Sequence, residues 1–475
     1  MTPPNDYLKL FRRATAKVSA YRDYLEKNNF NVKSVHTTRD FTSIPSMNKN
    51  DYLKVYPFEK LLWRDELNRP LLYCSTSGST GEPFYFPRED GLSRQYSEII
   101  EDFIRNSSHG VGPTLVIIGF GMGVWIGGVI TLRAFEIASE RAKLPISILP
   151  AGYNKTEIIK ALQKLSGFYD QTILVGYPPF IKDVIDEAGE VGIDFGKLNL
   201  RVLFAAESFT ESFRNYLAKK AKISNVLLDT LNVYGSADIG AMASETPISI
   251  LIRRILTQKP DVFEKIFTTG GKTPTVAQFN PKHIYFEEHQ GQILLTGDSS
   301  IPLIRYEIGD HGGVYGFKQL ESLLADSGIN LLREAKKSGI EKTVKSYPFV
   351  YIYERTDFTA SLHGINIYPE FIKEALITKS LNRYLTEKFT MVTKTNRRHN
   401  QYLEVNIELK SKVELTPEQK KNAHKLVVDT LRRKSSEFQE ISKTRNPMKM
   451  VKLVFWPFEH PTFFKPGIKQ KWVVR

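Results

Sequence analysis

The apolar positions of the chain follow two rhythms. Over 7–28 they recur at helical spacing (Leu8, Leu10, Phe11, Val18, Tyr21, Leu25), which predicts an amphipathic helical entry. A polar connector over 37–49 comes next, and a short helix then opens at Lys49-Asn50-Asp51 and is stopped by Tyr56-Pro57-Phe58, because the residue before a proline is pushed out of the helical region. From residue 92 the rhythm changes. A helical stretch over 92–105 leads into an unbroken apolar strand, Thr114 to Ile118, and then Gly119-Phe120-Gly121-Met122-Gly123. Strands over 147–149, 172–175 and 201–204 alternate with helices over 155–165 and 180–188. That alternation predicts a parallel sheet covered by helices. Ligands of such sheets sit beyond the carboxyl ends of the strands, which makes Tyr177-Pro178-Pro179 and Ala205-Ala206-Glu207 candidate site segments.

Further along the chain the pattern is more broken. Residues 248–275 read as a basic, loop-rich segment with Gly270-Gly271, and 318–345 as a charged, largely helical insert. The strand Phe349 to Tyr353 runs into a turn at Glu354-Arg355-Thr356-Asp357. Beyond it, strands over 360–363, 389–393, 403–409 and 450–455 mix with helices over 369–381 and 417–438. The expected organisation is a large α/β domain over 1–356 with helix-covered sheets, and a compact α+β domain over 357–475.

Composition narrows this only in places. A length of 475 residues favours more than one domain, and 41% hydrophobic with 25% charged residues is ordinary for a soluble globular protein. A single cysteine, Cys74, excludes an intrachain disulfide framework and a multi-cysteine zinc site, and a reducing cytoplasm is the natural compartment. The first six residues are polar and lack a signal-peptide core. The run over 114–132 is apolar but glycine-dense and short, so a buried strand, a glycine loop and a helix start explain it better than a membrane span. Net charge is +14, and the part from Asp357 onward holds 23 Lys and Arg against 12 Asp and Glu. Such a surface suits a polyanionic cosubstrate, an acidic carrier protein or nucleic acid, or is a solvated face with no partner. Charge is the sole support for nucleic acid, which is not expected. His283 and His289 are too sparse for a metal site and read as structural or surface residues.

The most informative stretch is Tyr73-Cys74-Ser75-Thr76-Ser77-Gly78-Ser79-Thr80-Gly81-Glu82-Pro83. Leu71, Leu72 and Tyr73 precede it and Phe84, Tyr85 and Phe86 come after, so it reads as strand, tight polar loop, strand. Glycines allow close backbone approach to an anion, and hydroxyls add donors to phosphate oxygens. From residue types alone the loop is either a phosphate cradle or a Ser/Gly-rich surface turn. It is not a Walker loop, for want of the Lys-Ser/Thr pair, and the GFGMG segment lacks the third glycine of a dinucleotide fingerprint.

Five ordered segments resemble the adenylate-forming acyl ligases, the superfamily of acyl-coenzyme A synthetases, firefly luciferase and peptide-synthetase adenylation domains. The Ser75–Gly81 stretch is similar to their nucleotide loop. Many members carry a lysine just after the proline; Phe84 stands there instead, and absence of that lysine resembles the phenylacetate–coenzyme A ligase branch, whose start the entry YRDYL…IPSMNKNDYLKVYPF also resembles. Leu231-Asn232-Val233-Tyr234-Gly235-Ser236-Ala237-Asp238 is similar to the family's aromatic-Gly-x-Thr/Ser-Glu. The resemblance implies nucleotide contacts from Ser75, Thr76, Ser77, Gly78, Ser79, Thr80, Gly81, Glu207 and Asn232. It implies Tyr234 and Gly235 against adenine, Ser236 lending a hydroxyl in place of Ala237, and Asp238 as the magnesium ligand. Without the resemblance, Asp238 before Ile239-Gly240-Ala241 is also a helix N-cap candidate. Ile301-Pro302-Leu303-Ile304-Arg305-Tyr306-Glu307-Ile308-Gly309-Asp310 is similar to P-L-I-R-Y-x-T-G-D, which gives Asp310 the ribose hydroxyls. Glu354-Arg355-Thr356-Asp357 is similar to G-R-x-D, with Arg355 on ribose and phosphate and Asp357 as hinge. The tail, Lys465-Pro466-Gly467-Ile468-Lys469-Gln470-Lys471, resembles the catalytic lysine loop, with Lys469 first choice and Lys471 and Lys465 behind it.

The fold implied by the resemblance is that of an adenylate-forming enzyme, whose C-terminal domain is a small mobile lid. The implied activity is ATP- and Mg²⁺-dependent conversion of a carboxylic acid to an acyl-adenylate, then transfer to a thiol, with coenzyme A as cosubstrate. A carrier protein or an amine is an alternative acceptor, and a non-catalytic nucleotide-binding relative is the alternative to an enzyme. Phe120, Trp125, Tyr177 and Ala205 are the expected acid pocket, suited to an aryl or arylacetic acid, although Trp125 is equally a core residue. Dimers are common among relatives, so a homodimer is an expectation as well.

Overall fold

The computed structural model describes residues 4–475 apart from 64–65, 69–70, 76–83, 123–125, 207, 268–272, 354–359, 363–364, 396–400, 436–437, 440–441, 443–444, 466–471 and 474–475. The chain divides into two units. The larger comprises Met1–Ser208, Ala221–Thr268 and Thr273–Glu354, the smaller Phe209–Lys220, Thr269–Lys272 and Arg355–Arg475.

The strands of the larger unit are β1 (Met47–Asn48), β2 (Leu72–Ser75), β3 (Tyr85–Arg88), β4 (Thr114–Ile118), β5 (Ile146–Leu149), β6 (Gln171–Gly176) and β7 (Leu200–Ala205). They continue as β8 (Thr230–Ser236), β9 (Gly240–Ser244), β10 (Thr275–Gln278), β11 (Ile284–His289), β12 (Gln292–Gly297), β13 (Leu303–Tyr315) and β14 (Phe349–Tyr353). One sheet runs β11-β12-β13-β14-β10-β9-β8-β7-β6-β4-β5, with β1 beside β13. The run from β8 to β5 is parallel throughout, while β8 to β11 pair antiparallel. The parallel part is the one that the strand–helix alternation predicts. Every residue of β4 and of β6 is buried, as expected where helices cover both faces and the strands become continuous apolar runs. The helix Asp90–Arg105 contributes Tyr96, Ile100, Phe103 and Ile104 to that core, at the spacing of one helix face.

The antiparallel part packs on the N-terminal helices Asn5–Lys17 and Ser19–Lys27, through Phe11, Tyr21 and Leu25 against Tyr285, Phe286 and Tyr306. The segment expected to be loop-rich is instead two helices, Pro247–Thr257 and Pro260–Ile266. Thr246 caps the first, exchanging bonds with Ser249 in a capping box. With Phe317–Asp326 and Leu331–Lys337 these helices form a single apolar cluster against Phe349, Tyr351 and Tyr353 of β14. Apolar spacing (Ile248, Leu251, Ile252, Leu256) therefore outweighs the basic residues that interrupt it.

The smaller unit holds β15 (Ala360–Leu362) paired with β16 (Ile365–Ile367), and a sheet of β17 (Leu385–Thr395), β18 (Gln401–Leu409) and β19 (Val451–Trp456). β18 lies antiparallel to β17 and parallel to β19. Its core joins Phe389, Met391, Leu403, Val405 and Ile407 to Val427 and Leu431 of the helix Pro417–Lys434 and to Ile372 and Leu376 of Pro369–Leu376. Among the described residues, no helix is long and apolar enough to cross a membrane.

Candidate functional site

The two strands expected on either side of the Ser/Gly-rich stretch are present as β2 and β3, paired antiparallel with Ser75 opposite Tyr85. Ser75 is buried, and Thr76, Ser77, Gly78, Ser79, Thr80 and Gly81 lie outside the described residues. Phe84 packs against Phe86 with ring centroids 4.7 Å apart.

The remaining candidates collect where the topology leads a ligand, at the carboxyl ends of four adjacent parallel strands. Beyond β4, a Cβ on Gly119 would come within 2.7 Å of the Phe180 ring, so a side chain there would force that ring to move. Phe120 is buried, and its ring meets Tyr177, beyond β6, edge-on at 4.9 Å. Tyr177 stacks on Tyr153 at 6.2 Å. Ala205 ends β7, and Ala206 holds a left-handed φ of +69°, a conformation that costs a non-glycine residue energy and gathers at functional sites. Trp125 and Glu207 lie outside the described residues.

β8 ends in Tyr234-Gly235-Ser236, with a bulge between Tyr234 and Gly235 in its pairing to β9. A Cβ on Gly235 would sit 2.6 Å from the Gly240 carbonyl oxygen, which explains the glycine. The helix N-cap reading of Asp238 is overturned: the residues after it enter β9 rather than a helix. Asn232 is buried within β8.

β13 returns against this turn although three strands separate it from β8 in the sheet order. The Tyr234 hydroxyl donates to Asp310 Oδ2 at 2.5 Å, so the ring assigned to adenine and the carboxylate assigned to ribose meet across 76 positions of sequence. The Tyr306 hydroxyl donates to Asp238 Oδ2 at 2.7 Å. Gly309, beside Asp310, adopts φ +84°, open to glycine without strain. Arg305 is buried, donating to Glu287 and to the Ile44 carbonyl, so it ties the strand into the core.

Two residues of this site are not singled out by the sequence pattern. Arg88, at the end of β3, is 5% exposed and donates to the Ala237 carbonyl and, at 3.3 Å, to the Asp238 carbonyl. Burial lowers its pKa, partly offset by Cys74 and Asp238, while burial pushes the Cys74 thiol up. The available signal is an arginine closing an otherwise apolar strand, Tyr85-Phe86-Pro87-Arg88. Tyr306 stands within the Ile301–Asp310 segment, yet its partner lies 68 positions away, which no local pattern reveals.

Asp238 is 8% exposed. As an aspartate it offers hard carboxylate oxygens, and magnesium is held by one or two carboxylates together with substrate phosphates, so the residue fits that ion. Among the described residues no cluster of three His, Cys, Asp or Glu side chains forms a site that would hold a metal unaided. His283 bonds Glu98 at 2.9 Å and His289 is exposed. Lys465 is exposed, and Lys469, Lys471, Arg355 and Asp357 lie outside the described residues.

No family model matches the chain, and no curated protein matches it in sequence. Among solved structures it is similar to 2-hydroxyisobutyryl-CoA ligase in the postadenylation state in complex with R3-HIB-AMP, with a TM-score of 0.65 at 14% identity over 98% of this chain and 87% of that one. An open conformation of that ligase in complex with 2-HIB-AMP and CoA is similar with a TM-score of 0.54, at 14% identity over 98% and 89%. The likeness runs over nearly the whole chain, and the chain has the adenylate-forming enzyme fold.

Proposed function

We propose that the chain is an ATP-dependent carboxylate ligase. A carboxylic acid attacks the α-phosphorus of ATP, giving an acyl-adenylate and pyrophosphate, and the acyl group then passes to the thiol of coenzyme A with release of AMP. The observation that carries this is the Tyr234–Asp310 contact at the carboxyl ends of the parallel strands. It sets an aromatic face beside a carboxylate, the pair needed for a base and the two hydroxyls of its ribose. The fold shared with a ligase whose structures hold acyl-AMP and CoA supports the same reading.

The residues divide the work. Tyr234 and Gly235 bound the adenine, Asp310 accepts from the ribose, and Ser236 and the Ser75–Gly81 loop face the phosphates. Magnesium on Asp238 would neutralise phosphate charge as pyrophosphate leaves. Phe120, Tyr177 and Ala205, together with Trp125, border the acid. The phenylacetate–coenzyme A ligase branch is proposed on Phe84 and the N-terminal segment, and an aryl or arylacetic acid suits the aromatic border. Glu207, Arg355, Asp357 and Lys469 take the roles that their motifs give them. Holding reactants in line contributes part of the acceleration in chemistry of this kind, beside neutralisation of charge.

Acid-dependent exchange of pyrophosphate into ATP across a panel of carboxylic acids tests the proposal. Exchange with one acid class, and coenzyme A-dependent AMP release with the same acid, is the expected result. ATP binding without exchange on any acid overturns it.

A further inference from the structure

We infer that Tyr306 and Arg88 are positioning residues for Asp238, and that they let an aspartate act at a place where the resembling ligases carry a glutamate. The inference rests on the nucleotide-site reading above and deepens it.

Asp238 lies in the short turn between β8 and β9, and its polar groups are held from different directions. Tyr306 of β13 donates to Oδ2 at 2.7 Å. Arg88 of β3 donates to the carbonyls of Ala237 and Asp238. The Asp238 amide donates to Ser236 Oγ at 3.2 Å. Oδ1 accepts no hydrogen bond among the described residues. A carboxylate with one oxygen fixed keeps the other in a defined direction, the arrangement by which partners behind a ligand orient it toward an ion.

Aspartate is one methylene shorter than glutamate, so its reach is set by the backbone that carries it. Arg88 supplies that control. Its planar fork holds two consecutive carbonyls of the turn, which an ammonium on a flexible stem reproduces poorly. Ala237 lacks the hydroxyl that the resembling motif places there, so these buried donors hold the turn in its stead. Both are costly groups to bury, with Tyr306 at 1% and Arg88 at 5% exposure, and burying polar groups costs free energy unless they are hydrogen-bonded.

The test is Mn²⁺ binding to the full chain in the presence of α,β-methylene-ATP, read by electron paramagnetic resonance, for the wild type, Tyr306→Phe, Asp238→Asn and the double variant. Tyr306→Phe should weaken Mn²⁺ on the order of 10-fold, with unchanged affinity for the nucleotide in the absence of divalent ions. In the Asp238→Asn background the same change should add nothing. Arg88→Lys, which keeps the charge and loses the fork, should show the same pattern and supplies the answer if Tyr306→Phe does not fold. Equal weakening in both backgrounds, or unchanged Mn²⁺ affinity in a folded variant, overturns the inference. If the wild type fails to bind the nucleotide with or without Mn²⁺, the function proposed above falls and this inference with it. Nucleotide and Mn²⁺ binding with silent variants removes this inference alone.

Discussion

The large sheet carries a polar cluster at each end of its parallel strands, and the two are built on opposite terms. At the amino ends, Arg201 of β7 is fully buried. It donates from Nε to Asp229 at 2.9 Å, from Nη1 to Gln171 at 3.3 Å, and from Nη2 to the carbonyls of Phe103 and Leu228 at 2.6 and 2.7 Å. Its guanidinium also lies 3.9 Å from the centroid of the Phe103 ring. Asp229, equally buried, accepts from Ser108 as well. Burial lowers the Arg201 pKa to about 10, against the opposing pull of Asp229. At the carboxyl ends, Tyr234, Gly235, Ser236 and Asp310 are only partly buried, and Gly309 is exposed. The first cluster closes on itself and ties strands to helix and loop. The second meets solvent with a ring, a hydroxyl and a carboxylate. The amino end should therefore govern stability, and the carboxyl end binding.

The largest effect is expected from Arg201→Met. It leaves Asp229 buried without its charge partner and should cost about 3–5 kcal/mol, read from urea unfolding, with pyrophosphate exchange in the folded fraction retained. The mirror experiment is Asp310→Asn. It should weaken ATP by about 10- to 100-fold, the scale of a hydrogen bond to a charged group, with an unfolding midpoint near that of the wild type. If Asp310→Asn destabilises the fold as much as Arg201→Met, the division between the two ends fails.

Gly235→Ala probes the border of the second cluster. The added Cβ meets the Gly240 carbonyl oxygen at 2.6 Å, and forcing the turn apart should cost about 1–3 kcal/mol and lower exchange together with stability. Tyr234→Phe is milder. It keeps the ring and removes the donor to Asp310, so ATP affinity should fall by about 0.5–1.5 kcal/mol, measured by calorimetry.

The smallest effect concerns pH. The hydrogen bond from His283, with further support from Asn280 and Arg141, holds the Glu98 carboxyl below its ordinary value of 4.5. A depressed folded-state pKa means that the unfolded chain binds the proton more readily. The stability it contributes is complete above the ordinary glutamate range and is lost as pH falls through the folded-state value. Glu98→Gln should flatten the acid limb of a stability profile taken below pH 4.5 and leave pyrophosphate exchange near neutrality unchanged. Loss of exchange at neutral pH would tie Glu98 to the site and blur the comparison.

Several of these features are legible in the residues alone. Strand Thr114–Ile118 appears with the bounds that its apolar run predicts, and the helices over 155–164 and 178–190 lie close to theirs. Burial on both faces leaves a strand no polar positions, so its ends are sharp in sequence. The two helices over 247–266 are hidden because arginines, lysines and the nearby Gly270-Gly271 mask the apolar spacing beneath them. The turn at Asp238 is open to a helical reading because Asp-Ile-Gly-Ala is compatible with either conformation; pairing with β8 decides it.

The order of most elements and the candidate residues Tyr234, Asp238 and Asp310 were determined by the sequence itself, since both arise from local periodicity and from residue types at short spacing. The tertiary structure decided which residues meet around them. Tyr234 with Asp310, Tyr306 with Asp238, and Arg88 with the Ala237–Asp238 turn are separated by 76, 68 and about 150 positions. Such pairs form only when β13 and the paired strands β2 and β3 close on the end of β8. The free energy for that closure comes from apolar burial elsewhere in the unit, and burial of that kind leaves no local mark on the residues it brings together.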